Sequence, residues 1–411
     1  MNHHTQVGII GAGPSGLLLA QLLHTQGINS VVLENRPRQR VESRQRAGLL
    51  EQNTVDRLRQ AGATDRLDRE GLVHDGVILS YNGHRHRIDL AHLTGGSRVT
   101  IYAQTEVVKD LIQLRLHEDE QSILFEAEAT AIDGLDGYAP AIHYTHQGEN
   151  HTLICDFVAG CDGFHGIARQ AIPAHLTTTY DKVYPYCWLG ILAKVPPSTD
   201  ELIYAYHDRG FALHSMRSPE ISRLYVQCDV TDTLDDWPDE RIWAELQLRL
   251  GTAGWTLAEG PILEKTITPM RSFVSEPMQF GRLFLAGDSA HIVPPTGAKG
   301  LNMAVADTGY LFDALMRWYQ AGSSLELDAY TAGCMRRVWR VQEFSNFMTD
   351  MLHRDSTKSS FDAHLQASRF NQLVNSEAAS TVIAENYVGL AASWATGVTG
   401  SEHGQSTTFH A

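Results

Sequence analysis

Cysteine is scarce in this chain and follows no ligand spacing. Cys155, Cys161, Cys187, Cys228 and Cys334 are five in 411 residues, with no CxxC pair. An odd count without such spacing excludes a complete disulfide framework and a zinc ribbon, and it suits free thiols in a cytoplasmic protein. Long apolar runs are also missing: a membrane span needs about eighteen consecutive apolar residues, and no such stretch occurs, so no membrane association is expected. No Lys or Arg precedes Arg36, so the apolar N-terminal segment lacks the basic start of a secretory leader. Basic charge is in deficit, 33 Lys and Arg against 48 Asp and Glu, and the resulting net charge of -15 argues against nucleic acid as a partner. The 20 histidines show no HExxH or similar spacing, so no metal is expected. The net charge would also repel a small anionic substrate unless its cleft were locally basic. At this length the chain should hold two or three domains with ample core.

What is present begins at the N terminus. Val7, Ile9 and Ile10 predict a short buried strand, followed at once by Gly11-Ala12-Gly13-Pro14-Ser15-Gly16. Leu17 to Leu23 then read as a helix that is apolar nearly all round, stopped by Gly27, and Val31-Val32-Leu33 returns as a second strand ending at Glu34. The strand–turn–helix–strand unit is complete, which makes the glycine fingerprint meaningful. Gly11 permits the tight turn, Gly13 lets backbone approach a pyrophosphate, and Gly16 lets helix and strand pack closely. The helix N terminus offers N–H groups to the phosphates, and Glu34 stands where a carboxylate would bind an adenosine ribose. Arg36, Arg38, Arg40, Arg44 and Arg46 follow. Such a run is either a solvated face or, for Arg44 and Arg46 ahead of Ala47-Gly48, a phosphate contact.

The middle of the chain has a different texture. Residues 100–125 look helical and residues 140–158 look like hairpin strands. From Tyr184 to Val230 short strands alternate with turns, an antiparallel pattern. Asp239 to Leu250 reads as a helix with Ile242, Trp243, Leu246 and Leu250 on one face, and long helices are expected over 300–320 and 327–353.

Leu283-Phe284-Leu285-Ala286-Gly287-Asp288 lies more than half the chain beyond the first motif. Gly287-Asp288-Ser289-Ala290-His291 is not an esterase site, because no GxSxG elbow exists and Asp, Ser and His so close in sequence do not easily reach triad geometry. A flavin site uses the segment better: the strand delivers Asp288 to a ribityl hydroxyl. Pro294-Pro295-Thr296-Gly297-Ala298-Lys299-Gly300-Leu301-Asn302 then opens a helix whose N–H groups would face the flavin edge that becomes negative on reduction.

Together with Arg44-Gln-Arg46-Ala-Gly, Cys161-Asp-Gly-Phe-His165-Gly, Arg209-Gly-Phe-Ala-Leu and Ala384-Glu-Asn-Tyr387-Val-Gly, these motifs resemble the single-component FAD aromatic hydroxylases over about residues 5–390. The resemblance implies an α/β fold with α+β elements. A Rossmann-like FAD-binding domain would occupy 1–178, with 75–100 contributing to the substrate region. A β-sheet substrate domain would span 179–270, a return to the FAD site 271–300, a helical C-terminal or interface region 301–391, and a loose tail 392–411. It also implies a monooxygenase that consumes NAD(P)H and O2 and hydroxylates a small phenolic acid through a flavin C4a-hydroperoxide. The implied substrate is 4-hydroxybenzoate and the product 3,4-dihydroxybenzoate; 3-hydroxybenzoate or protocatechuate is the alternative. A flavin halogenase is disfavoured by the absence of a Trp-x-Trp-x-Ile-Pro run. A homodimer is expected.

By the same resemblance, Arg217 holds the substrate carboxylate with Ser215 and Tyr225 as partners, and these three share one parity, compatible with one face of a hairpin. Tyr204 and Tyr387 relay the phenol proton, His74 is its outlet to solvent, and Pro295 and Thr296 border the ring, with the Pro295 carbonyl near the reacting edge. Glu34, Arg44, Arg46, Gln104, Asp288, Lys299, Gly300, Leu301 and Asn302 are implied in FAD binding, beside Gly11, Gly13, Ser15 and Gly16. Arg223 and Lys299 resemble charges that tune flavin reduction and movement. His165, Arg271, Arg44, Arg38 and Arg40 are implied in binding the nicotinamide cofactor, which has no second glycine fingerprint of its own. Three arginines beside Asn35 point to NADPH, with NADH as the alternative. Leu224 departs from the family's aromatic residue beside the substrate-binding tyrosine and is expected to loosen the pocket slightly.

Overall fold

The computed structural model describes residues 2–44 and 48–389. Arg46 and the expected loose tail lie outside the described residues. The strand Asn2–Ile10 forms the middle of a sheet, pairing in parallel with Glu149–Gly160 on one side and Ser30–Glu34 on the other. Leu283–Leu285 extends the sheet beyond Glu149–Gly160, and Ile123–Phe125 closes it beside Ser30–Glu34. The helix Pro14–Thr25 lies on this sheet and is buried from Ser15 to Leu23, because its leucines face strand on one side and the helices Gln104–Glu118 and Gly300–Ala321 on the other. A parallel sheet covered on both faces needs such near-continuous apolar sequence. The expected helix over 100–125 is shorter: it ends at Glu118, and Ile123–Phe125 is taken by the sheet edge.

The second sheet has eight strands in the order His291–Ile292, Ile262–Glu276, Thr178–Ala193, Ile221–Cys228, Ala212–Ser218, Ile203–Tyr206, Gly76–Tyr81 and His84–Asp89. It is antiparallel except where Gly76–Tyr81 runs parallel to Ile203–Tyr206. One face carries Leu189, Ile191, Ala212, Leu224 and Val226 into a core shared with the helix Asp239–Leu250. The other carries Trp188, Tyr204, Phe211 and Leu213 towards the helices Tyr330–Leu352, Ser360–Asn375 and Glu377–Val388. Alternation along each strand separates the two cores. A small sheet of Leu49–Glu51, Val99–Ile101 and Leu72–His74 completes the frame. All five cysteines are buried and free.

Candidate active site

The first glycine segment is shaped for a ligand. Gly11 has φ +103, and a Cβ there or at Gly16, in the first turn of the helix, would strike backbone, so both positions demand glycine. A Cβ at Gly13 would meet nothing within 4 Å, leaving open space at the helix start. The helix Pro14–Thr25 has no side-chain N-cap, so its first N–H groups are available to phosphate. Glu34 ends the second strand, and its carboxylate accepts from the N–H groups of Ala12 and Arg36, 2.8 Å each. Backbone thus fixes the carboxylate beside the turn. These groups fit a dinucleotide.

The Gly287-Asp288 turn meets this site from the other side. A Cβ at Gly287 would press on the Ser15 hydroxyl, so the two distant motifs touch. The Asp288 side chain is exposed, whereas Gly287 and Ser289 are buried. Asp307 holds the turn from beneath: its Oδ2 accepts from the Gly287 N–H at 3.0 Å and lies 2.6 Å from His291 Nε2. Burial alone would push the His291 imidazole down, but Asp307 more than offsets this and holds it above its ordinary value.

The Pro294–Asn302 run forms a 3-10 turn, Pro295–Gly297, before the helix Gly300–Ala321 begins. The Pro295 carbonyl accepts from the Ala298 N–H at 2.9 Å, and Ala298 takes φ +53. A carbonyl has two lone pairs, so capacity remains on this oxygen. Lys299 and Asn302 do not extend into open space. Lys299 Nζ donates to Glu51 Oε1 at 2.6 Å and to the Tyr387 carbonyl at 2.8 Å, fully buried. Arg337 donates to the other Glu51 oxygen at 2.9 Å. Burial would raise the Glu51 carboxyl, yet the two cations hold it below its ordinary value. Asn302 accepts from the Glu51 N–H and the Thr54 hydroxyl and donates to the carbonyls of Leu49 and Ala298, tying the loop to the small sheet. Glu51 and Arg337 carry no sequence signal: Glu51 is a lone charge after two leucines, and nothing distinguishes Arg337 from its neighbours Arg336 and Arg340.

Tyr204 and Tyr387 come together, their hydroxyls 2.9 Å apart and both rings buried. Burial raises both phenols well above their ordinary value, and for Tyr204 the bond to Tyr387 offsets part of this. His74 is buried too, and burial lowers its imidazole; its Nδ1 has no partner. Among the described residues no hydrogen bond joins His74 to the tyrosine pair.

Ser215 and Arg223 face each other across the hairpin, and Leu213 faces Tyr225, so Ser215, Arg223 and Tyr225 share one face. Arg217 falls at a register shift between Met216 and Ser218. Its guanidinium reaches Thr105 Oγ1 at 3.3 Å, and Thr105 in turn donates to the Arg44 carbonyl at 2.8 Å. Thr105 follows Gln104 at the start of the helix Gln104–Glu118, so this contact ties the hairpin to the expected cofactor side. Arg223 Nε donates to the Tyr225 hydroxyl at 3.2 Å. Burial and, after it, the charge of Arg223 both lower the Arg217 guanidinium. Leu224 corrects an expectation. It is fully buried on the opposite face, in the core under the helix Asp239–Leu250, because adjacent strand residues point to opposite sides. It does not border the Tyr225 side of the sheet.

A separate patch gathers around Phe164. The guanidinium carbons of Arg169 and Arg271 lie 4.7 and 4.5 Å from its ring centre, and the exposed His165 meets it edge-on. Arg271 also pairs with Asp181. Arg38 and Arg40 are exposed on the short helix Arg38–Ser43, where Arg38 pairs with Glu42, remote in sequence from this patch.

A nucleotide-binding turn, a second segment seated on it and a buried phenol pair in the neighbouring aromatic core define a flavoprotein. Residues 4–345 match the family model described as an FAD binding domain. The chain is 48% identical over 388 residues to the p-hydroxybenzoate hydroxylase of Acinetobacter baylyi, covering 94% of this chain and 95% of that one. It is 24% identical to an uncharacterized aromatic compound monooxygenase of Bacillus subtilis, covering 88% of this chain and 73% of that protein. A solved p-nitrophenol 4-monooxygenase from Pseudomonas putida shares the fold with a TM-score of 0.82 at 19% identity, covering 95% of this chain and 99% of that one. The chain belongs to the FAD-dependent aromatic hydroxylases, monooxygenases that use FAD as cofactor and consume NAD(P)H and O2.

Proposed function

We propose that the protein hydroxylates 4-hydroxybenzoate to 3,4-dihydroxybenzoate. The balanced reaction consumes one NADPH, one O2 and one proton, and releases NADP+ and water. The observation that carries this reading is the buried Tyr204–Tyr387 pair, 2.9 Å between hydroxyls, which would close one end of a substrate chamber, with Arg217 and Tyr225 at its other end. A para-hydroxy acid needs both ends. Arg217 would take the carboxylate by paired N–H donors, with the hydroxyls of Ser215 and Tyr225 orienting it. Tyr204 would accept the substrate's phenol proton as its own passes to Tyr387, with His74 as the outlet, and both phenols titrate too high to act as free bases at neutral pH.

FAD, when bound, accepts hydride from the nicotinamide and delivers one oxygen atom to the ring. Ser15, Gly16, Glu34, Gln104 and Asp288 would hold it, and the Lys299–Glu51–Arg337 cluster would stiffen the loop carrying Pro295 and Thr296. Arg223 would answer the charge of the reducing ring, and the Phe164 patch with His165 and Arg271 would receive the nicotinamide. The second sheet, to which Gly76–Tyr81 and His84–Asp89 add two strands, would serve as the substrate domain. Exposed Phe361, Leu365, Val374 and Val382 on the last two helices support a homodimer through that region, and five free buried thiols suit a cytoplasmic enzyme.

The test is product analysis. Purified protein with NADPH, air and 4-hydroxybenzoate should form 3,4-dihydroxybenzoate in near-equal amount to NADPH consumed. Coupled product from 3-hydroxybenzoate or protocatechuate, and none from 4-hydroxybenzoate, would replace the reading with its neighbour.

A further inference from the structure

An aromatic row runs from Tyr204, at the phenol pair, to Tyr225, on the strand face of Ser215 and Arg223. The Phe211 ring lies 6.3 Å from Tyr204, Trp188 stacks on Phe211 at 4.9 Å and 12°, and Tyr225 follows Trp188 at 4.9 Å. Trp188 is the third of these four rings, between Phe211 and Tyr225. It is buried, and its indole N–H needs an acceptor.

That acceptor comes from outside the sheet. The Trp188 Nε1–H donates to His353 Nε2 at 2.6 Å, and His353 Nδ1 lies 2.9 Å from the Thr349 carbonyl. A carbonyl can only accept, so the proton sits on Nδ1 and Nε2 is left as the acceptor. The imidazole is also clamped flat. Tyr186 stacks on one side at 4.8 Å and 7°, and Phe211 stacks at 4.5 Å and 23°. Burial lowers its pKa to about 3, so the neutral ring persists across the working range. Thr349 connects this cluster to the loop beside Pro295, since its hydroxyl lies 2.9 Å from that of Thr296. One turn of helix therefore contacts both the chamber wall and the loop at the reacting edge.

We propose that His353 is a positioning residue that holds Trp188 as the fixed wall of the substrate chamber through a single imidazole tautomer. The assignment rests on the hydroxybenzoate reading for what fills the chamber. The physical reason is the indole N–H. Without an acceptor it is a buried unsatisfied donor, which the chamber relieves by tilting Trp188 or admitting water. Either change harms a reaction in which water must be kept from the oxygen-transferring centre.

The substitution His353→Phe keeps the stack and removes the acceptor, whereas His353→Gln restores an acceptor oxygen. In His353→Phe, the KM for 4-hydroxybenzoate should rise roughly five- to tenfold and the product formed per NADPH should fall, the remainder leaving as hydrogen peroxide. FAD affinity should be unchanged. His353→Gln should recover most of the coupling. A second measurement needs no variant of His353. In 15N-labelled protein the Trp188 indole proton, assigned by its loss in Trp188→Phe, should resonate downfield and exchange slowly with solvent. An ordinary, fast-exchanging indole resonance overturns the proposal, and so does a folded His353→Phe with wild-type KM and coupling. If His353→Phe fails to fold, the resonance and the coupling of His353→Gln decide. Wild-type protein that turns over no 4-hydroxybenzoate refutes the substrate reading before any variant is compared.

Discussion

Lys299 Nζ sits 2.6 Å from Glu51 Oε1 and 2.8 Å from the Tyr387 carbonyl, so one buried cation joins the loop after Pro295 to a strand and to the last helix. Arg337 adds a second cation from the helix Tyr330–Leu352. Four segments far apart in the chain, a strand, a loop and two helices, thereby meet at one ion cluster.

Removal of Lys299 should show in the acid limb of stability. The Glu51 carboxyl is held below its ordinary 4.5, so it contributes stability that is present above that value and lost as pH falls through the lower, folded value. Lys299→Met removes one of its two cations, raises the folded value and moves acid unfolding to higher pH. At pH 7 the loss should be about 3 kcal/mol or more, the cost of breaking a buried pair. Far-UV circular dichroism from pH 6 to 3 and urea unfolding at pH 7 measure both; an unmoved acid midpoint refutes the coupling.

His291 should act in the opposite direction. Its folded pKa is raised above 6.5, so its pairing with Asp307 stabilises fully below that value, and the contribution disappears as pH rises through the folded value. His291→Gln should flatten the fall in stability between pH 6 and 9. Urea midpoints at the two pH values are compared. Because Asp307 also holds the Gly287 N–H, FAD retention should follow the same trend.

Tyr204→Phe or Tyr387→Phe should lower hydroxylation by about a hundredfold, within the usual span of general acid–base catalysis. The KM for the acid should change much less, because neither hydroxyl is at the carboxylate end. Rates within twofold of wild type in both variants would remove the relay.

Arg217→Ala should raise the KM for 4-hydroxybenzoate by roughly ten- to a hundredfold, the value of a charge-assisted pair, and leave the KM for NADPH nearly unchanged. Arg217→Lys should restore only part of it, since an ammonium cannot make two parallel N–H contacts. Equal rises in both constants would reassign Arg217.

The first motif was legible because its elements are local. Strand, turn, helix and returning strand are consecutive, and each has its own periodicity and stop signal. The helix Asp239–Leu250 was legible for the same reason. The expectation that Leu224, by departing from the family's aromatic residue, loosens the pocket does not hold, because strand alternation turns it away from Tyr225 into the opposite core. Glu51, Arg337, Thr105 and His353 could not be found from sequence. Glu51 pairs with Lys299 and Arg337, Thr105 with Arg217 and His353 with Trp188, at separations of 112 to 286 residues.

Local pattern thus specified the class of cofactor, the order of the elements and the chemical types a phenolic acid would need. Long-range packing chose which charges neutralise one another, which imidazole nitrogen accepts and which face of each strand meets the chamber. Burial is the reason for the division. A turn or an amphipathic helix follows from a few consecutive side chains. Once water is excluded, a buried charge or N–H must find a partner wherever the fold brings one, and no sequence spacing records where that will be.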